Sequence, residues 1–111
     1  MTGDADKLAG LIWCPFPDEA AARAAAAVLL DERLIACANL VPGVQSLFSW
    51  QGAREEASEA GALFKTTAPM LDAAMRRLET LHPYDAPAIT GWTVHAGQGT
   101  LAWLQGETRG I

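Results

Sequence analysis

The amino-acid sequence predicts a single α+β domain, on the evidence of its length, its apolar balance and the order of its segments. The chain has 111 residues and a mass of 11.8 kDa, which suits one domain with a modest core. Half of the residues are hydrophobic and 19% are charged, a balance typical of a globular protein. The segments run strand, helix, strand, strand, helix, strand. Two strand-helix-strand halves joined by a hairpin form a split β-α-β sandwich of ferredoxin-like architecture.

The first strand and the first helix are predicted from an apolar run and from helical periodicity. Leu8 to Cys14 is apolar and is followed by two prolines, so we expect a buried strand that ends there. A helix is expected over Asp18 to Arg33, because Pro17 suits a first helical turn and acidic residues suit the positive end of the helix dipole. Its predicted apolar stripe consists of Ala22, Ala25, Ala26, Leu29 and Leu30.

A long strand, a turn and a returning strand are predicted next. The segment from Leu34 to Trp50 contains β-branched and aromatic residues and is interrupted by Pro42-Gly43. This pattern indicates one strand that is bent or bulged at the break. Gln51 to Ser58 is polar and contains a glycine, so a turn is expected there. Glu59 to Thr66 is then expected to return along the sheet.

After the returning strand, the chain is predicted to continue with a second helix, a fourth strand and a short closing helix. Pro69 is expected to open a second helix that continues to about Leu81, since apolar residues recur there at helical spacing. His82 precedes a proline and is therefore expected to end that helix. Ala88 to His95 is predicted to be the fourth strand, and Thr100 to Gln105 a short closing helix.

The predicted topology places an uncharged strand on an edge of the sheet. The strand order would be 4-1-3-2, with both main helices on one face. Leu34 to Ala53 carries no charge over 20 positions, whereas exposed edge strands normally carry charged residues that discourage pairing. Either a loop or a tail covers this edge, or another subunit pairs with it. The second interpretation is favoured, because assembly would stabilise a small domain.

Composition argues against several classes of partner. The formal net charge is −5 and the pI is about 4.8. The longest basic run is Arg76-Arg77, so neither nucleic acid nor an anionic membrane surface is an expected partner. No apolar run reaches the roughly 18 residues that a membrane-spanning helix needs.

The expected organisation is a tail over residues 1–7, one domain over residues 8–106 and a second tail over residues 107–111. No segment has the pattern of a signal peptide, and two cysteines cannot form a disulfide framework. We therefore expect cytoplasmic localisation with both thiols free.

Several short motifs, taken together, resemble those of the divalent-cation tolerance family, CutA. They span most of the chain from Ala20 to Leu104, in the order and at the spacing of the family. The motifs are Leu34-Ile-Ala-Cys37-Ala-Asn39-Leu-Val-Pro42-Gly43-Val, Ser46-Leu-Phe-Ser-Trp50-Gln-Gly52, Glu59, Lys65-Thr66-Thr67, His82-Pro83-Tyr84, Pro87 and Leu101-Ala-Trp103-Leu.

The resemblance implies a fold, an assembly and a function. It implies a ferredoxin-like domain with a long hairpin, assembled through sheet edges into a tight homotrimer that resembles the PII signalling proteins. It also implies a role in tolerance of copper and other divalent metals, with no required cofactor and copper or another divalent ion as a weakly bound partner. No catalysed reaction is established for the family, and no nucleophile-base pattern occurs in the sequence, so we do not expect an enzyme.

Three residues are candidate metal ligands. Cys37 and Cys14 offer thiolates, which favour soft metals, although a cysteine in an apolar strand is more often a small buried residue. His82 could bind a metal, relay a proton, hold a loop or cap its helix. The topology places Cys14, His82 and Tyr84 at one end of the sheet and Cys37 at the opposite end.

Four residues are candidates for a ligand cleft between subunits: Lys65, Tyr84, Trp50 and Glu59. Lys65 could bind an anionic ligand or form a structural ion pair with Glu59 or Asp85. Trp50 is expected to be a packing anchor. The sequence departs from the family by having Ala88 where a glutamate is usual and Phe48 where a tyrosine is common, which removes two polar groups from the expected cleft.

Three hypotheses follow for function. The first is a metal-tolerance homotrimer that binds metal ions weakly. The second is a PII-like trimer that binds a small anionic effector near Lys65, His82 and Tyr84. The third is a stable trimeric scaffold without a metal function.

Overall fold

The structure, a computed structural model, describes residues 7–109. Most of the predicted tail at 1–7 and the last two residues therefore lie outside the described residues. One turn of 3-10 helix at Ala68–Met70 precedes the second helix. The elements are, in chain order, β1 (Ala9–Phe16), α1 (Glu19–Asp31), β2 (Cys37–Trp50), β3 (Ala53–Thr67), α2 (Leu71–Leu81), β4 (Thr90–Val94) and α3 (Gln98–Glu107).

The four strands form one antiparallel sheet in the order β2-β3-β1-β4. This is the predicted order, with the long strand β2 on an edge. The β2–β3 pairing runs from Cys37 opposite Lys65 to Trp50 opposite Ala53. Because a strand rises about 3.4 Å per residue, this hairpin accounts for the elongated shape of the domain, whose longest dimension is 47 Å.

The core lies between the sheet and helices α1 and α2. Alternate residues of β1 are buried there, including Ile12 and Phe16. Phe16 meets Phe64 of β3 edge to face, with ring centroids 6.3 Å apart. Helix α1 starts at an N-cap, Asp18, whose side chain accepts a hydrogen bond from the backbone N–H of Ala21 at 2.8 Å. The side of the sheet turned away from α1 and α2 is called the far face below.

A β-bulge at Pro42-Gly43 decides which side chains of β2 lie on the far face. Val41 pairs with Gly61, and the next pair is Val44 with Glu59, so β2 has one more residue than β3 at this point. Gly43 has a φ of +71°, a value that glycine adopts without strain. Before the bulge, the odd-numbered residues of β2, such as Val41, lie on the far face together with Gly61. After the bulge, the even-numbered residues, such as Val44, lie on that face. The predicted bulge is confirmed.

The predicted turn over Gln51 to Ser58 is wrong, because β3 already begins at Ala53. The turn is the pair Gln51-Gly52, with φ values of +50° and +81°, which suits a tight two-residue hairpin. The polar residues that follow have low strand propensity, but they are exposed and paired with β2. They belong to the outer part of the β2–β3 hairpin, from Val44 to Glu59, which is called the hairpin arm below. Ser58 there donates a side-chain hydrogen bond to Gln45 at 3.1 Å.

Strand β1 continues past its predicted end at Cys14 through Pro15 to Phe16. The pairing of β1 with β4 stops at Trp13 opposite Thr90, while its pairing with β3 goes on. Beyond Trp13, one side of β1 therefore has no strand partner, and a proline without an N–H is tolerated at such an edge.

The domain extends beyond its predicted end at residue 106. Helix α3 reaches Glu107, and Thr108 is buried. Arg33, which has a φ of +59°, donates hydrogen bonds through its guanidinium to the carbonyl oxygens of Gly106, Glu107 and Thr108 at 2.9–3.4 Å. Arg109 in turn donates its backbone N–H to the Arg33 carbonyl at 2.9 Å. The segment to residue 109, predicted as part of a tail, is thus attached to the turn after α1.

The helices between residues 7 and 109 are all too short or too polar to cross a lipid bilayer.

Candidate functional site

His82 fixes the loop that follows α2. Its ring is buried and stacks on Phe16, with centroids 4.4 Å apart and planes inclined by 21°. Nε2 lies 2.8 Å from the carbonyl oxygen of Pro15, and Nδ1 accepts the backbone N–H of Tyr84 at 3.1 Å. Because a carbonyl can only accept, these partners assign the proton to Nε2 and the lone pair to Nδ1. Of the roles left open by the sequence, the geometry matches that of holding a loop.

Cys14 lies beside this histidine, as the topology predicted. Its thiol is fully buried and contacts the same Pro15 carbonyl oxygen, with Sγ at 3.6 Å. Burial, and secondly the negative charge of Glu59, raise the pKa of Cys14 to about 12. The thiol is therefore held in its neutral form, which is a poor metal ligand.

Tyr84 connects this end of the sheet to Glu59. Its hydroxyl donates a hydrogen bond to Glu59 Oε2 at 2.8 Å, and its ring lies 4.8 Å from that of His82. Burial raises the pKa of Tyr84 to about 12, and the hydrogen bond and charge of Glu59 act in the same direction, as does the charge of Asp18. Tyr84 is thus a neutral phenol that donates its proton to the hydrogen bond with the Glu59 side chain.

An open cleft adjoins this pair, and we call it the aromatic cleft. It is walled by Phe48, Trp50, Glu59 and Tyr84, and one of its two cavities has a volume of about 390 Å³. The first three side chains share the far face through the register of the hairpin arm. The cavity also reaches Ala88, and a second cavity of about 460 Å³ has the same four walls and extends to Asp85.

Lys65 does not lie in the aromatic cleft of its own chain, and its predicted place in a cleft between subunits stays a prediction. It pairs with Cys37 on β2 and Leu11 on β1, at the other end of β3. Six residues of extended strand separate it from Glu59, about 20 Å. The predicted ion pair with Glu59 or Asp85 is not formed within the described chain. The two ion pairs found between residues 7 and 109 are Arg76 with Asp72 and Arg77 with Glu32.

Cys37 stands apart from the other candidate metal ligands, at the end of the sheet where the topology predicted it. It is half-buried, and its thiol lies 3.7 Å from the side-chain oxygen of Asn39. Nowhere in the described range do three or more His, Cys, Asp or Glu side chains gather in a way that could hold a metal ion. Metal ligation by Cys37, Cys14 and His82 therefore stays a prediction.

Two parts of this site were not predicted from the sequence. The Pro15 carbonyl, which both His82 and Cys14 contact, is a backbone atom and leaves no residue-type signal. Phe48 was noted only for the tyrosine it replaces. Its spacing of two residues from Trp50 is the strand period and could have placed both rings on one face.

The sheet order, the two helices on one face and the long edge hairpin define a ferredoxin-like α+β protein of the kind the sequence predicted. The model of the family described as CutA1 divalent ion tolerance protein matches residues 10–107. The chain is 38% identical over 100 residues to the divalent-cation tolerance protein CutA of Escherichia coli O139:H28, and the match covers 89% of both proteins. The chain belongs to the CutA1 divalent ion tolerance family.

Solved structures of the same family share the fold. CutA from Xylella fastidiosa is 37% identical with a TM-score of 0.86, over 91% of this chain and 98% of that one. A divalent cation tolerance protein CutA from Archaeoglobus fulgidus, described as periplasmic, is 27% identical with a TM-score of 0.84, over 89% of this chain and 97% of that one. The predicted fold class and family are confirmed.

Proposed function

We propose that this protein acts in divalent-cation tolerance as a homotrimer that contacts metal ions weakly, with copper as the first candidate metal. Family membership carries the general role. The observation that carries the metal contact is the half-exposed thiol of Cys37, since the other two candidate ligands are buried and hydrogen bonded.

The exposed edge of the sheet supports self-association. Strand β2 lies at the edge beside β3, and its sequence has no charged residue. Large apolar side chains are exposed along it, with Leu47 at 65% exposure the most open. Trp92 of β4 adds an exposed apolar ring on the far face, because it pairs with Leu11. Apolar surface of this kind marks an interaction site.

Light scattering at micromolar concentration tests the assembly. The expected mass is about three times the 11.8 kDa of the chain. Leu47→Lys should lower that mass, because a buried unpaired charge is unfavourable at an interface. Ala24→Lys on the exposed side of α1 is the matched control and should leave it unchanged. A monomeric mass for the wild-type chain would contradict the proposed assembly.

The proposed metal contact is weak because one thiol is far from a complete ligand set. A structural zinc site uses four ligands. Ligation by His82 would break its hydrogen bond from the Tyr84 N–H, and ligation by Cys14 would require ionising a buried thiol. A thiolate such as that of Cys37 favours Cu(I) over harder divalent ions.

Calorimetric titration of Cu(I) and Zn(II) tests this contact. Cys37→Ser should weaken Cu(I) binding at least about tenfold, because a hydroxyl is a much harder ligand than a thiolate. His95→Gln, which removes an exposed imidazole, is the control and should bind as the wild type does. Equal Cu(I) binding by Cys37→Ser and wild type would exclude Cys37 as the ligand.

A second candidate function is binding of a small effector, and the volume and aromatic walls of the cleft favour it. A cavity of about 390 Å³ lies within the size range of small-molecule sites. Binding without catalysis is proposed, because Tyr84 and Glu59 are joined to each other and the raised pKa of Tyr84 keeps the phenol protonated. A stable scaffold without a ligand is the outcome if no small molecule binds.

Cytoplasmic localisation is also proposed, supported by the two free cysteines, since cysteines of oxidising compartments are more often paired. Cell fractionation with an antibody to the native chain tests it, and recovery in the periplasmic fraction would contradict it.

A further inference from the structure

The charged groups at the aromatic cleft are all acidic. Glu59 lines both cavities and Asp85 lines the second. Glu55 shares the far face next to the cleft, because it pairs with Phe48 in the hairpin register. Among the described residues, the lining of the two cavities contains no lysine, arginine or histidine. Arg54, the nearest basic residue along β3, pairs with Ser49 and lies on the opposite face. Within one chain, the cleft therefore lacks the positive charge that an anionic ligand would need.

The walls of the cleft are aromatic. Phe48 and Trp50 lie two residues apart on one face of the hairpin arm, and Tyr84 approaches from the loop after α2. All three rings remain partly exposed, at 43%, 50% and 38%. The faces of aromatic rings attract cations, most strongly those that are weakly hydrated.

The hydrogen bond from Tyr84 positions the Glu59 carboxylate toward a ligand. It engages Oε2, and none of the hydrogen bonds seen in the described part of the chain uses Oε1. The phenol keeps its own proton, so it does not cancel the negative charge of the carboxylate, and its hydrogen bond restricts the Glu59 rotamer. One carboxylate oxygen thus remains available beside apolar walls.

A bare metal ion fits this lining poorly. Calcium and magnesium need six or more oxygen ligands, including water, and no cluster of metal-ligating side chains occurs in the described range. A carboxylate surrounded by aromatic rings suits a ligand whose positive charge is part of an otherwise apolar organic molecule.

We infer that the aromatic cleft binds a small organic cation, a protonated amine or a quaternary ammonium ion. This inference rests on the proposed effector-binding function and names its ligand class. The Glu59 carboxylate supplies the opposite charge, Trp50 and Phe48 supply aromatic faces, and Tyr84 holds the carboxylate in place. Ala88 contributes to the fit, because its small side chain leaves room where a longer one would narrow the cavity.

Three probes of similar size and different charge test the inference. Benzyltrimethylammonium, benzyl alcohol and benzoate are titrated calorimetrically into the full-length wild-type protein. We expect the cation to bind at least about tenfold more tightly than the neutral alcohol, and benzoate not to bind, because both the carboxylate and the rings select positive charge. The affinity for the cation should fall as salt is added.

Two variants locate the site, each with a matched control. Glu59→Gln keeps an acceptor for the Tyr84 hydroxyl and should weaken binding of the cation about three- to tenfold. Glu56→Gln removes the same charge from the opposite face of β3 and should have less than about a twofold effect. Trp50→Leu should weaken binding similarly, whereas Trp103→Leu, which changes an exposed tryptophan of helix α3, should not.

Each contrary result has a distinct meaning. Cleft binding of benzoate or benzyl alcohol as tight as that of the cation, lost in Trp50→Leu, would overturn the ligand class and leave the effector-binding proposal standing. Cation binding that Glu59→Gln and Trp50→Leu leave unchanged would overturn the site. Failure of all three probes to bind a folded protein of unchanged mass would overturn both proposals.

Discussion

The indole of Trp13 lies over Gly61 of the neighbouring strand. A Cβ built on Gly61 would lie 2.2 Å from Cη2 of that indole and within 3 Å of two further ring atoms. The two residues belong to β1 and β3, which pair directly, so neither backbone can move away without disturbing the central ladder. Because glycine has only a hydrogen atom in place of Cβ, the indole can lie this close to β3.

Gly61→Ala should therefore lower the free energy of unfolding by about 1–3 kcal/mol, because the rigid indole must shift to admit a methyl group. Urea denaturation at equal protein concentration measures the change. Gly99→Ala in helix α3 is the control, since nothing lies within 4 Å of its built Cβ, and it should be neutral or slightly stabilising. Equal stability of Gly61→Ala and wild type would show that the ring moves freely.

The two cysteines should differ in reactivity toward iodoacetamide. Alkylation needs a thiolate, and the pKa of the buried Cys14 thiol is raised to about 12. Cys37 is partly exposed. Mass spectrometry of the native protein at pH 8 should find one adduct, on Cys37, and the urea-denatured protein should carry two. Rapid labelling of Cys14 in the native state would contradict its placement in the core.

His82→Ala should destabilise the domain by about 2–4 kcal/mol, since it removes a buried ring, leaves the Tyr84 N–H without its partner and takes the imidazole donor away from the Pro15 carbonyl. Denaturant unfolding measures the loss. The exposed His95→Ala should change stability by less than about 0.5 kcal/mol. If the two variants unfold alike, the hydrogen bonds of His82 contribute little.

Stability should fall on the alkaline side. The pKa of Cys14 is raised in the folded state from 9.0 to about 12, and that of Tyr84 from 10.0 to about 12. The unfolded chain loses these protons first, so their contribution is complete below about pH 9 and is lost as the pH rises toward 12. Melting temperatures between pH 8 and 11 should fall less steeply for Cys14→Ala than for Cys37→Ala, and parallel curves for the two variants would refute this linkage.

Features that follow local rules were predictable from the sequence. The break at Pro42-Gly43 predicted the bulge, because a proline and a glycine inside a strand have few other roles. His82 before a proline predicted the end of α2. The approach of Cys14, His82 and Tyr84 followed from strand order alone, without any distance information.

Features that depend on distant neighbours were not predictable. Whether β1 could pass through Pro15 depends on where β4 stops pairing with it, at Thr90. The length of the β2–β3 turn depends on an exposed arm in which polar residues such as Glu56 pair with β2 despite low strand propensity. Lys65 and Glu59 lie about six residues apart along β3, so a cleft that contains both would need the Lys65 of another subunit, and only the assembly decides that.

The bulge gives the hairpin arm a counting rule that bears on how its length can vary. Ala60 alone stands opposite Pro42 and Gly43. Deletion of Gly43 would leave Pro42 alone opposite Ala60 and would remove the bulge. Val44 would still pair with Glu59, so Phe48 and Trp50 would stay on the far face. A change of two residues nearer the tip would preserve the arrangement. Natural variation in the length of β2 should therefore be either the loss of the single extra residue at the bulge or a change of an even number of residues.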